Sequence, residues 1–141
     1  MIAPGAGKYR QTFITHTDAV KPGQLVSQTD GSQKTCCWPD AVTEPLLGVV
    51  GNLPGQDVDT AYTAGDTVPV YMRGSGAVVW VFFRLSGGAL VAGSPVSHGG
   101  GTGDGQAILG VDSVNHLYDF LGYATHWHDD IAGASWVQVR I

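Results

Sequence analysis

Charged side chains are scarce in this 141-residue chain. Asp, Glu, Lys and Arg make up 13% of the residues and hydrophobic residues 43%, whereas a soluble globular domain has about 25% charged residues. We therefore expect much of the surface to face other proteins. Only seven residues are basic and the net charge is −5, which argues against nucleic acid as a partner, because nucleic acid binding requires clustered Lys and Arg.

Cysteine and long apolar runs are also in short supply. The two cysteines, Cys36 and Cys37, are adjacent, and neighbouring residues rarely reach disulfide geometry without strain. We expect two thiols in a protein synthesised in a cytoplasm. No apolar run reaches the roughly 18 residues of a membrane helix, and the first thirteen residues lack the apolar stretch of a signal peptide. No membrane partner is expected.

Residues that favour helix surfaces are few, with one Glu and three Lys. Asp, Gly, Thr and Val, which favour turns and strands, are common instead. From residue 20 onward, short apolar runs are cut by Gly or Pro every eight to twelve residues, a spacing typical of sandwiches and barrels. We predict an all-β fold, a compact sandwich or small barrel, with at most one short helix in DSVNHLYDFLG (112–122). The predicted strands are residues 24–28, 46–51, 67–72, 78–85, 89–91, 107–111, 122–125 and 135–141.

Two of the predicted strands differ in how apolar and polar residues alternate along them. The run AVVWVFFRL (77–85) is apolar on both faces and predicts a central strand covered on both sides. The run ASWVQVRI (134–141) alternates and predicts a half-exposed strand. The aromatic residues expected in the core are Tyr71, Trp80, Phe82, Phe83 and Trp136.

The domain organisation is predicted to be simple. Residues 1–19 show no sustained period and are expected to form a flexible N-terminal arm before a single β domain, residues 20–141. Three pairs of similar words indicate two β units, about 20–86 and 87–141, each too small to bury its own face. The pairs are GQLV (23–26) with GALV (88–91), LLGVV (46–50) with ILGVD (108–112), and AGDTVPV (64–70) with AGASWVQV (132–139).

A glycine-rich stretch, HGGGTGDG, occupies residues 98–105. A phosphate-binding loop also needs a helix N-terminus and, in its commonest form, a Lys followed by Ser or Thr. The last lysine of the chain is Lys34, and QAILGV (106–111) reads as a strand. We therefore interpret the stretch as a loop that is mobile until a partner orders it, and we expect no nucleotide or other cofactor.

The stretch THWHDD (125–130) is the best candidate for chemistry. In a strand His126 and His128 would point to one face and, with Asp130, offer ligands for zinc or another divalent metal. The competing and favoured interpretation is a polar hairpin tip. A small metal-dependent β-barrel enzyme is therefore the least favoured of three hypotheses about the function. No enzymatic activity is expected.

Partner contacts are predicted at two tryptophans that lie outside strand runs. Trp38 and Trp127 are candidates for an interface or for stacking on sugar rings, which makes a carbohydrate-binding or adhesion module the second hypothesis. The other predicted partner-binding residues are Tyr9 and Phe13 in the arm and His98 beside the glycine-rich loop.

Five short sequence words stand out along the chain: VKPGQLV (20–26), PLLGVV (45–50), AGDTVPVY (64–71), VAGSPV (91–96) and AILGV (107–111). With these words the chain resembles a known family, the capsid decoration, or cement, proteins of tailed double-stranded DNA viruses. The resemblance implies a compact β domain, commonly a homotrimer, bound to the major capsid protein on the outside of the virion. It also implies a role in bridging neighbouring capsomers, and it brings no catalytic residues.

Overall fold

The computed structural model confirms the all-β fold. It describes residues 9–16, 19–28, 34–39, 44–85, 90–98, 105, 107–109, 118, 120–126 and 133–141. The strands are β1 (Arg10–Thr15), β2 (Leu25–Gln28), β3 (Thr35–Cys37), β4 (Leu46–Val50), β5 (Thr67–Met72), β6 (Val78–Leu85), β7 (Pro95–Ser97), β8 (Ile108–Leu109), β9 (Phe120–Ala124) and β10 (Gly133–Arg140). Most of the predicted helical stretch, 112–122, lies outside the described residues.

The ten strands of the described residues form two units. The first five close into a barrel in the order β1-β3-β2-β4-β5, in which β1 pairs in parallel with β3 and antiparallel with β5. The second five form a sheet in the order β6-β10-β9-β7-β8. A single parallel bridge between Phe83 and Ala107 connects β6 to the residue before β8. Both units therefore follow the same circular order, with β6 to β10 in the places of β1 to β5.

The turn that leads into the second strand of each unit shows the duplication in atomic detail. Gly23 and Gly93 have φ angles of 85° and 86°, a backbone conformation that glycine adopts at little cost. The amide of Gly23 donates to Val50 O, and the amide of Gly93 donates to Ala124 O, both at 2.7 Å. The pairing with the next strand then shifts register after Val26 in one unit and after Val96 in the other.

These equivalences correct two of the three predicted word pairs. GQLV (23–26) corresponds to GSPV (93–96), and LLGVV (46–50) corresponds to FLGYA (120–124), because the strand pairings match residue by residue. ILGVD begins in β8, the counterpart of β3. The third pair places β5 opposite β10, and both strands hold the same place in their units.

The first unit begins earlier than the sequence indicated. The six residues of β1 were expected to belong to the arm, but they pair with β5 over five positions and complete the first barrel. The strand order also divides the units after β5, between residues 73 and 77, and not near residue 86. Residues 1–8 lie outside the described residues.

The hydrophobic core has two parts. One fills the first barrel and includes Phe13, Val26 and Val70. The other fills the second unit and extends across the junction, because side chains from β2 and β4 pack against it; they are Leu25, Leu46 and Val49. Strands β2 and β4 are thus covered on both faces, one by the barrel interior and one by the second unit.

The prediction that residues 77–85 form a central strand covered on both sides is wrong. β6 pairs fully with β10 on one side only, and its side chains alternate: Val79 and Val81 are buried, whereas Trp80 is 55% exposed. Four of the five aromatic residues expected in the core are partly or largely exposed, and Phe83 alone is fully buried. The predicted half-exposed character of β10 is confirmed, since Trp136 and Gln138 are half-buried and Val137 and Val139 are buried.

The second unit is closed with help from the first. The amide of Phe82 on β6 donates to Gly23 O at 2.9 Å, and the amide of Leu25 donates to Gly105 O at 2.6 Å. The turn before β2 therefore lies between β6 and the segment that precedes β8, where the second sheet has only its single bridge. The same turn contributes to both units, which joins them into one structure.

Candidate binding groove

An open groove lies between the first barrel and the outer face of β6 and β10. Its volume is about 1120 Å³. The first unit contributes Tyr9 and Tyr71 to its walls, and the second contributes Trp80, Trp136 and Gln138. Four aromatic side chains from three strands and the residue before β1 therefore meet in one concave surface.

The pairing register explains why these side chains share a face. Trp80 lies opposite Gln138, and Phe82 lies opposite Trp136. Because side chains two apart on a strand point to the same side, and directly paired residues do so too, the outer face of this ribbon has aromatic rings next to an amide. The neighbouring Val78 is 46% exposed and also lines the groove.

Trp136 is held in a fixed orientation. Its ring lies directly against Gly23, where an added Cβ would overlap the ring. Its other neighbour is Phe82, with ring centroids 5.4 Å apart and planes inclined at 66°, the edge-to-face arrangement that aromatic pairs prefer. The indole is therefore positioned before any ligand arrives.

Tyr71 on the opposite wall rests on another glycine. A Cβ at Gly51 would lie 2.9 Å from Cε2 of Tyr71, closer than side chains tolerate. The backbone of Gly51 is itself held, because its amide donates to Pro69 O at 2.8 Å and its carbonyl accepts from the Tyr62 hydroxyl at 2.8 Å. Burial raises the pKa of Tyr62 above its ordinary value, so this hydroxyl stays protonated and donating.

The groove carries no formal charge. Among the described residues that line it, none is Asp, Glu, Lys, Arg or His. Its polar groups are neutral: the amides of Asn52 and Gln138 and the phenol hydroxyls of Tyr9 and Tyr71. The side-chain oxygen of Gln138 lies 3.4 Å from the Thr125 hydroxyl, which donates to it. An uncharged surface of this composition suits a neutral ligand better than an ionic one.

Part of the outer edge of β6 faces the groove. The amide of Phe82 points away from β10 and donates to Gly23 O, so the amides of Trp80 and Val78, two and four residues earlier, point the same way. Within the described part of the chain, no backbone hydrogen bond is found for these two amides on that side. The groove thus adds backbone donors to its aromatic walls.

The structure brings one predicted partner-binding residue to this groove, namely Tyr9, which is half-buried. Phe13 is 5% exposed inside the first barrel, with Lys34 Nζ 5.6 Å from its ring centroid. Trp38 is half-buried and donates from Nε1 to Gln24 Oε1 at 3.0 Å. His98 is buried, and Trp127 lies outside the described residues.

The predicted metal ligands are not brought together by the described structure. His126 is exposed, and its Nδ1 lies 2.7 Å from the Thr125 hydroxyl. His128 and Asp130 lie outside the described residues. In the part of the chain that is described, no group of three His, Cys, Asp or Glu side chains could hold a metal ion. No helix there is long and apolar enough to cross a membrane.

Sequence reasoning missed Trp80 and Trp136 as groove residues because both were assigned to the core. A signal was present: alternation in ASWVQVRI places Trp136 beside Gln138, on the polar side of that strand. If β6 had been paired with β10 in the prediction, Trp80 would have been assigned to the same outer face as Gln138.

The fold is shared with a protein of a phage head. The chain is similar in structure to the N base of the head fiber gp8.5 of bacteriophage phi29, with a TM-score of 0.52 and 18% sequence identity. The similarity covers 94% of this chain and 92% of that chain. No family model matches the sequence, and no curated protein matches it.

Proposed function

We propose that this protein is a structural component of a phage virion that binds the outer surface of the head and stabilises it by bridging capsomers. The observation that supports the proposal is the fold similarity, which extends over 92% of the base of a head fiber. In this proposal the partners are the major capsid protein and further copies of the chain in a homotrimer. The protein acts without catalysis, cofactor, nucleic acid or membrane.

The structural equivalence of the two units supports a choice of the face that would meet the head. In the first unit, Val49 on β4 is 1% exposed because the second unit covers it. Its counterpart on β9 is Tyr123, because the two residues pair with equivalent positions on the neighbouring strands of their own units. Tyr123 is 53% exposed. The second unit therefore leaves open the face that the first unit buries.

This open face, the β7–β9 face, is formed by Pro95, Phe120 and Tyr123. Phe120 and Tyr123 contact edge to face with centroids 5.1 Å apart. Arg73 stabilises the start of β9, because its Nη1 donates to Tyr118 O at 2.9 Å and to Phe120 O at 3.1 Å. Tyrosines are enriched among the residues that dominate binding at protein interfaces, and Tyr123 is the exposed member of this pair.

Low charge supports a role in a repeated assembly. A protein present in many copies on one particle is held by many weak apolar and backbone contacts, since multivalency multiplies their effect. The scarcity of Lys, Arg and Glu reduces the cost of removing charged groups from water at each contact.

The test uses phage heads assembled without this protein. Purified chain is mixed with the heads, and bound protein is measured by co-sedimentation and by the temperature at which the heads release DNA. We expect saturable binding and a higher release temperature. The variant Tyr123→Arg should weaken binding at least about tenfold, because an unpaired charge would be buried in the contact.

A matched control is Leu53→Arg. Leu53 is 45% exposed in the loop after β4 and lies outside both the β7–β9 face and the groove, so this variant should bind heads normally. A wild-type chain that folds but never co-sediments with the heads contradicts the proposed function. Equal binding by Tyr123→Arg and wild type contradicts the assignment of the face.

A further inference from the structure

We infer that the groove between the two units is a binding site for a neutral carbohydrate. The site uses Tyr71, Trp80, Trp136 and Gln138, none of which belongs to the β7–β9 face. The inference is independent of the proposed function, because a head-bound protein with its groove facing solvent can also bind a sugar.

The aromatic rings match the apolar face of a sugar. One side of a pyranose ring presents C–H groups that carry small positive partial charges, and the face of an aromatic ring carries negative partial charge. Trp80 is 55% exposed although its strand pairs with β10 along its whole length. Leaving so large an apolar surface in water costs folding free energy, about 25 cal/mol per Å², which a stacked ligand would recover.

The polar groups match the hydroxyl rim of a sugar. Hydroxyl groups both donate and accept hydrogen bonds, and so do the amides of Asn52 and Gln138 at the groove wall. Gln138 lies directly across the ribbon from Trp80, so a ring stacked on the indole has an amide beside its edge. Since no charged side chain of the described residues lines the groove, the ligand is an uncharged sugar.

Two of the three rings, those of Trp136 and Tyr71, are arranged before binding, which favours a specific site over a general apolar surface. Trp136 is fixed between Gly23 and Phe82, and Tyr71 is fixed against Gly51. Side chains that are already ordered lose little entropy when a ligand binds, which increases affinity.

A peptide strand added to β6 is the competing occupant, and the edge is too short for it. Because the amide of Phe82 is already bonded to Gly23 O, only Val78 and Trp80 offer outward amides. Recognition by strand addition depends on a row of main-chain hydrogen bonds along several residues. Sugar hydroxyls need only one or two such donors.

The experiment titrates the purified chain with three neutral hexasaccharides: a β-1,4-glucan, an α-1,4-glucan and a β-1,4-linked N-acetylglucosamine oligomer. Binding is followed by the indole N–H signals of the tryptophans in NMR spectra and by calorimetry. We expect at least one probe to bind saturably with a Kd between about 10 μM and 1 mM. The signals of Trp80 and Trp136 should shift, and that of Trp38, whose indole donates to Gln24, should not.

Two variants make the test specific. Trp80→Ala should weaken binding at least about tenfold while its melting temperature stays near that of wild type, because this side chain is exposed. Tyr123→Ala removes an equally exposed aromatic ring from the other face and should leave sugar binding unchanged. Gln138→Leu keeps the volume but removes the amide and should weaken binding several-fold.

Failure of the inference and failure of the proposed function give different results. The absence of binding by all three probes at about 10 mM, or equal binding by wild type and Trp80→Ala, overturns the carbohydrate site. Loss of head binding by Trp80→Ala without any sugar binding shows that the groove contacts a capsid polypeptide, which also overturns it but leaves the proposed function standing.

Discussion

The two units of this protein share a backbone plan and differ in the surfaces they leave open. The face that the first unit presents on β2 and β4 is buried against the second unit, and Val49 there is 1% exposed. The equivalent face of the second unit carries Tyr123, which is 53% exposed. A contact made within the chain in one unit thus corresponds to an open aromatic face in the other.

The first strand of each unit differs in the same way. Arg10 on β1 and Val78 on β6 occupy equivalent positions, as do Thr12 and Trp80, because their pairing partners on β5 and β10 are equivalent. All four side chains are exposed. Charged and polar side chains protect a strand edge from unwanted pairing, whereas Val78 and Trp80 leave it apolar. The two units thus share a backbone arrangement and expose different side chains at equivalent positions.

The largest effect on the free energy of unfolding is expected at the face of the first unit that the second unit covers. Leu25→Ala removes a fully buried side chain at the junction and should lower the free energy of unfolding by about 2–5 kcal/mol. Tyr123→Ala should cost less, about 0.5–1.5 kcal/mol, because this exposed ring loses only its edge-to-face contact with Phe120. Urea unfolding of the two variants measures both values. Similar losses for the two variants would mean that the β7–β9 face is also covered in the isolated protein.

Gly23 and Gly93 occupy equivalent turns and allow a second comparison of the two units. Gly93→Ala should cost about 1–2 kcal/mol, because alanine must adopt a positive φ angle. Gly23→Ala carries the same backbone cost and also displaces Trp136, so it should cost about 1–3 kcal/mol more. The indole signal of Trp136 should shift only in Gly23→Ala. Equal losses with no shift would show that Trp136 is not held by this contact.

A smaller and pH-dependent effect is expected at Tyr62 in the first unit. Its pKa is raised in the folded protein because burial disfavours the phenolate. The folded state therefore keeps its full stability below the pKa of the unfolded chain, about 10, and loses stability as the pH rises toward the folded value. Tyr62→Phe should cost about 1 kcal/mol at pH 7, through the lost bond to Gly51 O.

Unfolding in urea at pH 7 and pH 10.5 separates the two contributions. Wild type should lose more stability between the two pH values than Tyr62→Phe does. Tyr123→Phe, a change at an exposed position, serves as the control and should follow wild type. An identical alkaline loss in wild type and Tyr62→Phe would contradict the link to this hydroxyl.

The sequence was sufficient to predict the fold class and most strands, because short apolar runs between Gly and Pro report directly on strands and turns. β4, β5 and β6 lie within a residue of their predicted bounds. β1, β3 and β7 were missed; the nearest predicted strand to β7, at 89–91, lies before it. RQTFIT in β1 has few apolar residues, since only Phe13 and Thr15 face the interior, and β3 and β7 are only three residues long.

The position of Trp80 could not be predicted because burial on the second face of a strand depends on packing between units. The local pattern of β2 and that of β6 are both largely apolar, yet Leu25 and Val26 are both fully buried and Trp80 is largely exposed. The cause lies in the turn at Gly23, which brings β2 and β4 against the second unit and leaves the outer face of β6 open.

Electron cryomicroscopy of heads decorated with the purified chain would decide whether the open aromatic face of the second unit binds the phage head, as we propose. We predict that the β7–β9 face, with Phe120 and Tyr123, lies against capsid protein while the groove at Trp80 faces solvent. A map in which Tyr123 faces solvent and the first barrel meets the capsid would contradict the account.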